Sequence, residues 1–276
     1  MGARMSYAAM IVHIDAERAS KQRVELAVGL ARRFGAALIG VAGWSPGLGF
    51  GVGGALIEAD PTMRRAREMT ALLDAAEKGF RLAAAHVPHE WRGQVGLPID
   101  VVVREARAAD LVIVARERAS EGFLVPLDVG GTILRLGRPV LVVPNGIDSL
   151  QARRIVVAWK DVREARRALR DAIPFLQEAD DVLIAEVSEQ GEEAEAQKRL
   201  DDVINYLRGH KVAVGAKVYL RTKSTIASEL LRFASDEKAD LLIAGAYGHS
   251  RLGEWVFGGV TREFLAGSPI CCLLSH

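Results

Sequence analysis

The sequence predicts an α/β chain made of two tandem, doubly wound, parallel five-stranded sheets. Three observations carry this. Short apolar runs alternate with amphipathic stretches throughout, the second half repeats the first, and one late apolar run opens into a glycine loop followed by a helix pattern.

The first half starts with residues 7–15 (YAAMIVHID), a nearly continuous apolar run of the kind expected for a strand covered on both faces. Residues 18–34 place Val24, Leu26, Ala27, Leu30 and Ala31 at helical spacing, with Gly35 as the stop signal. A strand over 36–42 follows. Residues 34–57 carry no charge and are long enough to cross a bilayer, but eight glycines and Pro46 interrupt them, so a strand and a flexible apolar loop are expected instead. Asp60 suits an N-cap and Pro61 a first helical position, opening a helix to 85. A weak strand at 89–93, a helix at 98–109, a strand at 110–115 and a closing apolar run at 137–144 complete this half. A polar connector, 145–154, then leads to strands at 155–159, 181–187, 212–220, 240–244 and 269–274, with helices at 163–176, 192–208 and 225–239 between them.

The repeat can be aligned. Asp240 and Pro269 each lie 130 residues after Asp110 and Pro139, so DLLIAG matches DLVIVA without a gap, whereas Ile155 lies 145 after Met10. The first half therefore holds fifteen extra residues, most simply at 44–60. Two domains are expected, 1–146 and 147–276, a division that suits the chain's 276 residues. Their fifth strands, 140–143 and 270–273, would pair as an internal pseudo-dimer and cover otherwise open sheet edges.

Residues 240–261 (DLLIAGAYGHSRLGEWVFGGVT) read as strand, glycine loop and helix start. Glycines allow close approach of backbone N–H groups, and a helix start offers unpaired donors with a positive dipole end, so a phosphate is the natural guest. The spacing Gly-x2-Gly-x9-Gly resembles the nucleotide loop of the universal stress protein family. That resemblance implies a Rossmann-like fold with strand order 3-2-1-4-5, ATP or AMP as ligand, Mg accompanying ATP, and a cytoplasmic role in stress response or regulation. Carried over residue by residue, it puts Ala158, Trp159 and Lys160 against the nucleoside together with Val187. On the phosphate side it puts Ala244, Gly245, Gly248, Gly258, Gly259, Val260 and Thr261. Two positions depart from the family: Lys160 stands where an acidic residue is usual, with Asp161 a candidate replacement, and Gly259 stands where a hydroxyl residue is usual. In the first half the motif positions hold Ala115, Arg118, Asp128, Val129 and Gly131. Its loop is thus degenerate, and one nucleotide per chain, in the second domain, is expected.

The formal net charge of +1 gives no global field for nucleic acid or an anionic membrane, and neither is expected as a partner. Homodimer formation remains open beside the internal pairing. Cys271 and Cys272 are adjacent in an apolar run and are read as core filling in a reducing cytosol; the first residues lack a signal-peptide pattern. His86 and His89 are read as surface residues, and His249 as within reach of a phosphate. No nucleophile elbow, paired carboxylates or Walker sequence appears, so no catalytic residue is named and binding is expected rather than efficient hydrolysis. Two other functions stay open: a nucleotide-free interaction scaffold, favoured by Lys160 and Gly259, and a carrier of an apolar small molecule, favoured by the loop 48–57.

Overall fold

The computed structural model of the chain describes residues 5–15, 19–45, 60–116, 124–220, 224–248 and 259–276, with side chains in the second helix described from 67 onward. In the first half the strands are β1 (Ala9–His13), β2 (Ala37–Trp44), β3 (His89–Val95), β4 (Leu111–Ala115) and β5 (Val140–Val143). Its helices are α1 (Ala19–Phe34), α2 (Asp60–Ala83), α3 (Pro98–Glu105) with a 3-10 turn after it, and α4 (Val129–Leu136). The second half contributes β6 (Arg154–Trp159), β7 (Asp181–Ser188), β8 (Gly215–Leu220), β9 (Leu241–Gly245) and β10 (Cys271–Ser275). Between them lie α5 (Arg163–Asp171), α6 (Ile173–Leu176), α7 (Glu193–Gly209), α8 (Ile226–Asp236) and α9 (Gly259–Gly267).

The fifth strands β5 and β10 pair, as the sequence predicts, so the two five-stranded sheets continue as one ten-stranded sheet, in the order β3-β2-β1-β4-β5-β10-β9-β6-β7-β8. The join is antiparallel, with Leu141 opposite Leu273, while every other described ladder is parallel. Each half on its own still runs 3-2-1-4-5. One expectation needs correction: the helix expected over 163–176 is broken at Ala172, because Pro174 cannot donate to the preceding turn and fits only near the start of a new helix. The extra loop expected at 44–60 lies almost wholly outside the described residues.

Alternation along the buried strands sends successive side chains to opposite faces, and each face carries its own helix layer. One core combines Val157, Trp159 and Ile184 with Leu169 of α5 and Leu200 and Val203 of α7. The other combines Val156, Ala158 and Ala185 with Ala227 and Phe233 of α8 and Phe264 of α9. Both cores run through both halves.

Side chains also lock the halves together. Tyr7, Phe34 and Phe175 form a ring cluster with centroids 5.1–5.6 Å apart, and the Tyr7 hydroxyl donates to the Asp171 carbonyl at 2.7 Å. Arg116 donates to the Ser268 carbonyl at 2.9 Å, and Arg33 pairs with Glu178 at 2.6 Å. Cys271 and Cys272 are buried in β10, and burial pushes both thiols up to about 12, so neither carries thiolate near neutral pH.

Candidate functional site

Strand order reverses between β6 and β9. The chain leaving β6 turns to one face as α5, while the chain leaving β9 returns on the other face as α9, which opens a crevice at the carboxyl ends of these two strands. The segments singled out from the sequence meet there. The backbone N–H of Tyr247, in the turn after β9, donates to the buried Thr261 hydroxyl at 3.1 Å, so residues 244–248 and 259–261 are joined by a hydrogen bond. Tyr247 holds a positive φ of 54°, unusual for a bulky residue, and the Ala246 N–H is tied to the Ser275 carbonyl at 2.8 Å. The loop is therefore anchored on both sides. Gly258 and His249 lie outside the described residues.

The three described motif glycines are not equivalent. A Cβ on Gly245 would come within 2.5 Å of the Ala165 nitrogen and 2.6 Å of the Glu164 carbonyl carbon, so this glycine lets α5 sit directly on the end of β9. A Cβ on Gly248 would stand 3.3 Å from Glu164 Oε2. At Gly259, the first residue of α9, a Cβ would meet nothing among the described residues within 4 Å. The described residues thus leave space for the usual hydroxyl, although the residue is absent.

Of the residues expected at the nucleoside, Ala158 and Val187 share the face of α8 and α9 with Ala244 and Val260. Lys160 is exposed just beyond β6. Trp159 does not join them. Its side chain belongs to the opposite core, under α5 and α7, because adjacent strand residues point to opposite faces. Asp161 likewise cannot stand in for the family's acid: its carboxylate is held by Arg166 at 2.6 Å and lines a cavity with Trp159.

Three features escaped the sequence reading. Glu164, buried and ion-paired with Arg163, brings a carboxylate beside Gly248. Asp15 lies 145 residues before Lys160, the offset already seen at the front of the repeat, so the acid missing from the second half stands in the first. It is engaged there: burial pushes its carboxyl up, but Arg23 at 2.6 Å, His13 and Ser20 together hold it below the usual range. Asp128, at the position of Gly258, accepts a hydrogen bond from the Gly131 N–H at 2.8 Å and caps α4. Its carboxylate supplies that helix start with an anion from the chain itself. A sequence signal existed, since an aspartate three residues before a helical glycine is an ordinary cap.

The sequence model of the Universal stress protein family matches residues 151–276. The chain is similar in structure to a universal stress protein from Archaeoglobus fulgidus DSM 4304, at 16% identity and a TM-score of 0.71 over 97% of both chains. It is also similar to a functionally unknown protein from Pseudomonas aeruginosa PAO1, at 13% identity and a TM-score of 0.60 over 97% of this chain and 92% of that one. A universal stress protein in complex with cAMP is similar over 50% of this chain and 98% of its own length, at 23% identity and a TM-score of 0.37. A comparison with curated protein sequences found no match. The second half of this chain therefore belongs to the universal stress protein family, within a chain whose whole length shares the fold of a universal stress protein.

Proposed function

We propose that the chain is a cytosolic stress-response or regulatory protein that binds one adenine nucleotide, ATP or AMP, at the carboxyl ends of β6 and β9. The observation that carries this is the union of the two motif segments through Tyr247 and Thr261 at the start of α9. The backbone donors of α9 and the turn after β9 would take the phosphates, and Lys160 would add a mobile positive charge near them. Ala158 and Val187 would face the base. The bound nucleotide would supply a phosphate-rich anion whose presence or absence is read by partners. With ATP, Mg would be held by phosphates and water; among the described residues no cluster of three metal-ligating side chains exists. Division into units at 1–146 and 147–276 belongs to the same reading. Among the described residues, no helix is long and apolar enough to cross a membrane.

One observation favours a nucleotide-free scaffold instead: the buried Glu164 carboxylate beside Gly248 would repel a phosphate brought close. Mass spectrometry of the natively purified protein decides between the readings. ATP or AMP at one per chain supports the proposal, while a protein that carries no nucleotide and gives no heat on titration with either supports the scaffold. A bound hydrophobic molecule would point to a carrier.

A further inference from the structure

On the other face of the sheet, α5 and α7 stand apart over the ends of β6 and β7 and leave a cavity of about 400 Å³. The nucleotide reading makes no use of it, since that reading places its ligand on the face of α8 and α9. Leu169 and Val203 give the cavity apolar lining, and the Trp159 and Tyr206 rings add aromatic surface. Trp159 is buried, and its indole Nε1–H has no acceptor among the described residues. An orphaned donor at this depth carries a desolvation cost that a native core rarely leaves unmet.

The charges around the cavity are unevenly committed. Arg166 is held by Asp161 at 2.6 Å, and Arg199 by the buried Glu186 at 2.5 Å. Arg170 has no ion-pair partner among the described residues and lines the same cavity. Asp161 and Glu186 neutralise the other two guanidinium groups, so among the lining charges only those of Arg170 and Asp202 are not engaged in an ion pair among the described residues. Guanidinium forks match carboxylates geometrically, and a volume of this size lies in the range of small-molecule sites. We infer that the α5–α7 cavity is a second ligand site, which takes a planar aromatic monoanion such as an aryl carboxylate, with the ring between Trp159 and Tyr206 and the anionic group on Arg170.

Calorimetric titration of the full chain with 2-naphthoate, and with its uncharged amide as the control, tests this. One naphthoate per chain is expected to bind at least about fivefold more tightly than the amide, with Arg170→Ala erasing that difference by removing the charge-assisted contact. Val203→Phe, which fills the cavity, should abolish binding of both, and circular dichroism will show whether each variant is folded. Saturating ATP should leave naphthoate binding unchanged, so loss of nucleotide binding and loss of this site are separate results. Equal affinity for the two compounds, unchanged binding in a folded Arg170→Ala protein, or no heat up to about 5 mM naphthoate would overturn the inference.

Discussion

The phenol oxygen of Tyr247 lies so close over Gly130 that a Cβ there would be 2.5 Å from it. The turn after β9 in the second half is thus seated on the start of α4 in the first. Gly130→Ala should push the Tyr247 ring aside. Because the clash is with the far end of a side chain, the cost in stability should stay below about 1 kcal/mol. The loop bearing Gly248 should nonetheless shift, and the affinity for ATP should fall several-fold by calorimetry. Unchanged affinity would mean that the contact between the halves is passive.

Gly245→Ala separates structure from ligand binding. The added Cβ meets backbone atoms of Ala165 and Glu164, which cannot swing away. We expect a loss of about 1–3 kcal/mol in urea unfolding, with or without nucleotide. A fully stable variant would contradict the seating of α5 on β9.

Gly248→Arg should abolish nucleotide binding, since its side chain would fill the approach to the loop's backbone donors, while exposure of the site leaves the fold intact. Gly259→Ser should act in the opposite sense. It meets none of the described residues and restores the family's hydroxyl, worth about 0.5–1.5 kcal/mol, or two- to tenfold in affinity. Titration of the parent and both variants with ATP checks the pair; no change in either would mean that the glycine loop is only a turn.

His13 sets a pH dependence of stability. Burial, which outweighs the opposing pull of Asp15 and is aided by Arg23, lowers its pKa to about 4, and its Nε2 has no hydrogen-bond partner among the described residues. The unfolded chain takes up this proton near 6.5 and the folded chain only near 4, so the unfolded state binds more protons between these values. The contribution is complete above pH 6.5 and is lost as pH falls toward 4. Unfolding free energies from urea titration at pH 7 and 5 should differ by about 2 kcal/mol from this residue alone, and His13→Gln should flatten that part of the profile.

Much of this architecture could be read from the sequence, because the buried strands are nearly pure apolar runs and the repeat fixes their correspondence. The run at 269–274 was legible as a strand and, through Pro139, as the partner position of 137–144. What the sequence hid was direction across short distances. Trp159 and Ala158 are adjacent in sequence but face opposite cores, so a motif carried over as a block does not say which of their side chains shares the face of α8 and α9. Asp161, the candidate replacement acid, is held by Arg166, and Glu164 reads as an ordinary charged residue on a helix face until the end of β9 comes against it. The break at Ala172 has a local signal in Pro174.

The antiparallel ladder of β5 and β10 has a consequence for dilution. Two separate subunits joined by such short edges would come apart as their concentration fell, but here the connector between β5 and β6 keeps one strand within reach of the other at an effective concentration of order millimolar. Assembly is then first order, and it no longer requires the two copies to be identical. One copy could surrender its helix start to Asp128 while the other kept its glycines, without either losing its mate.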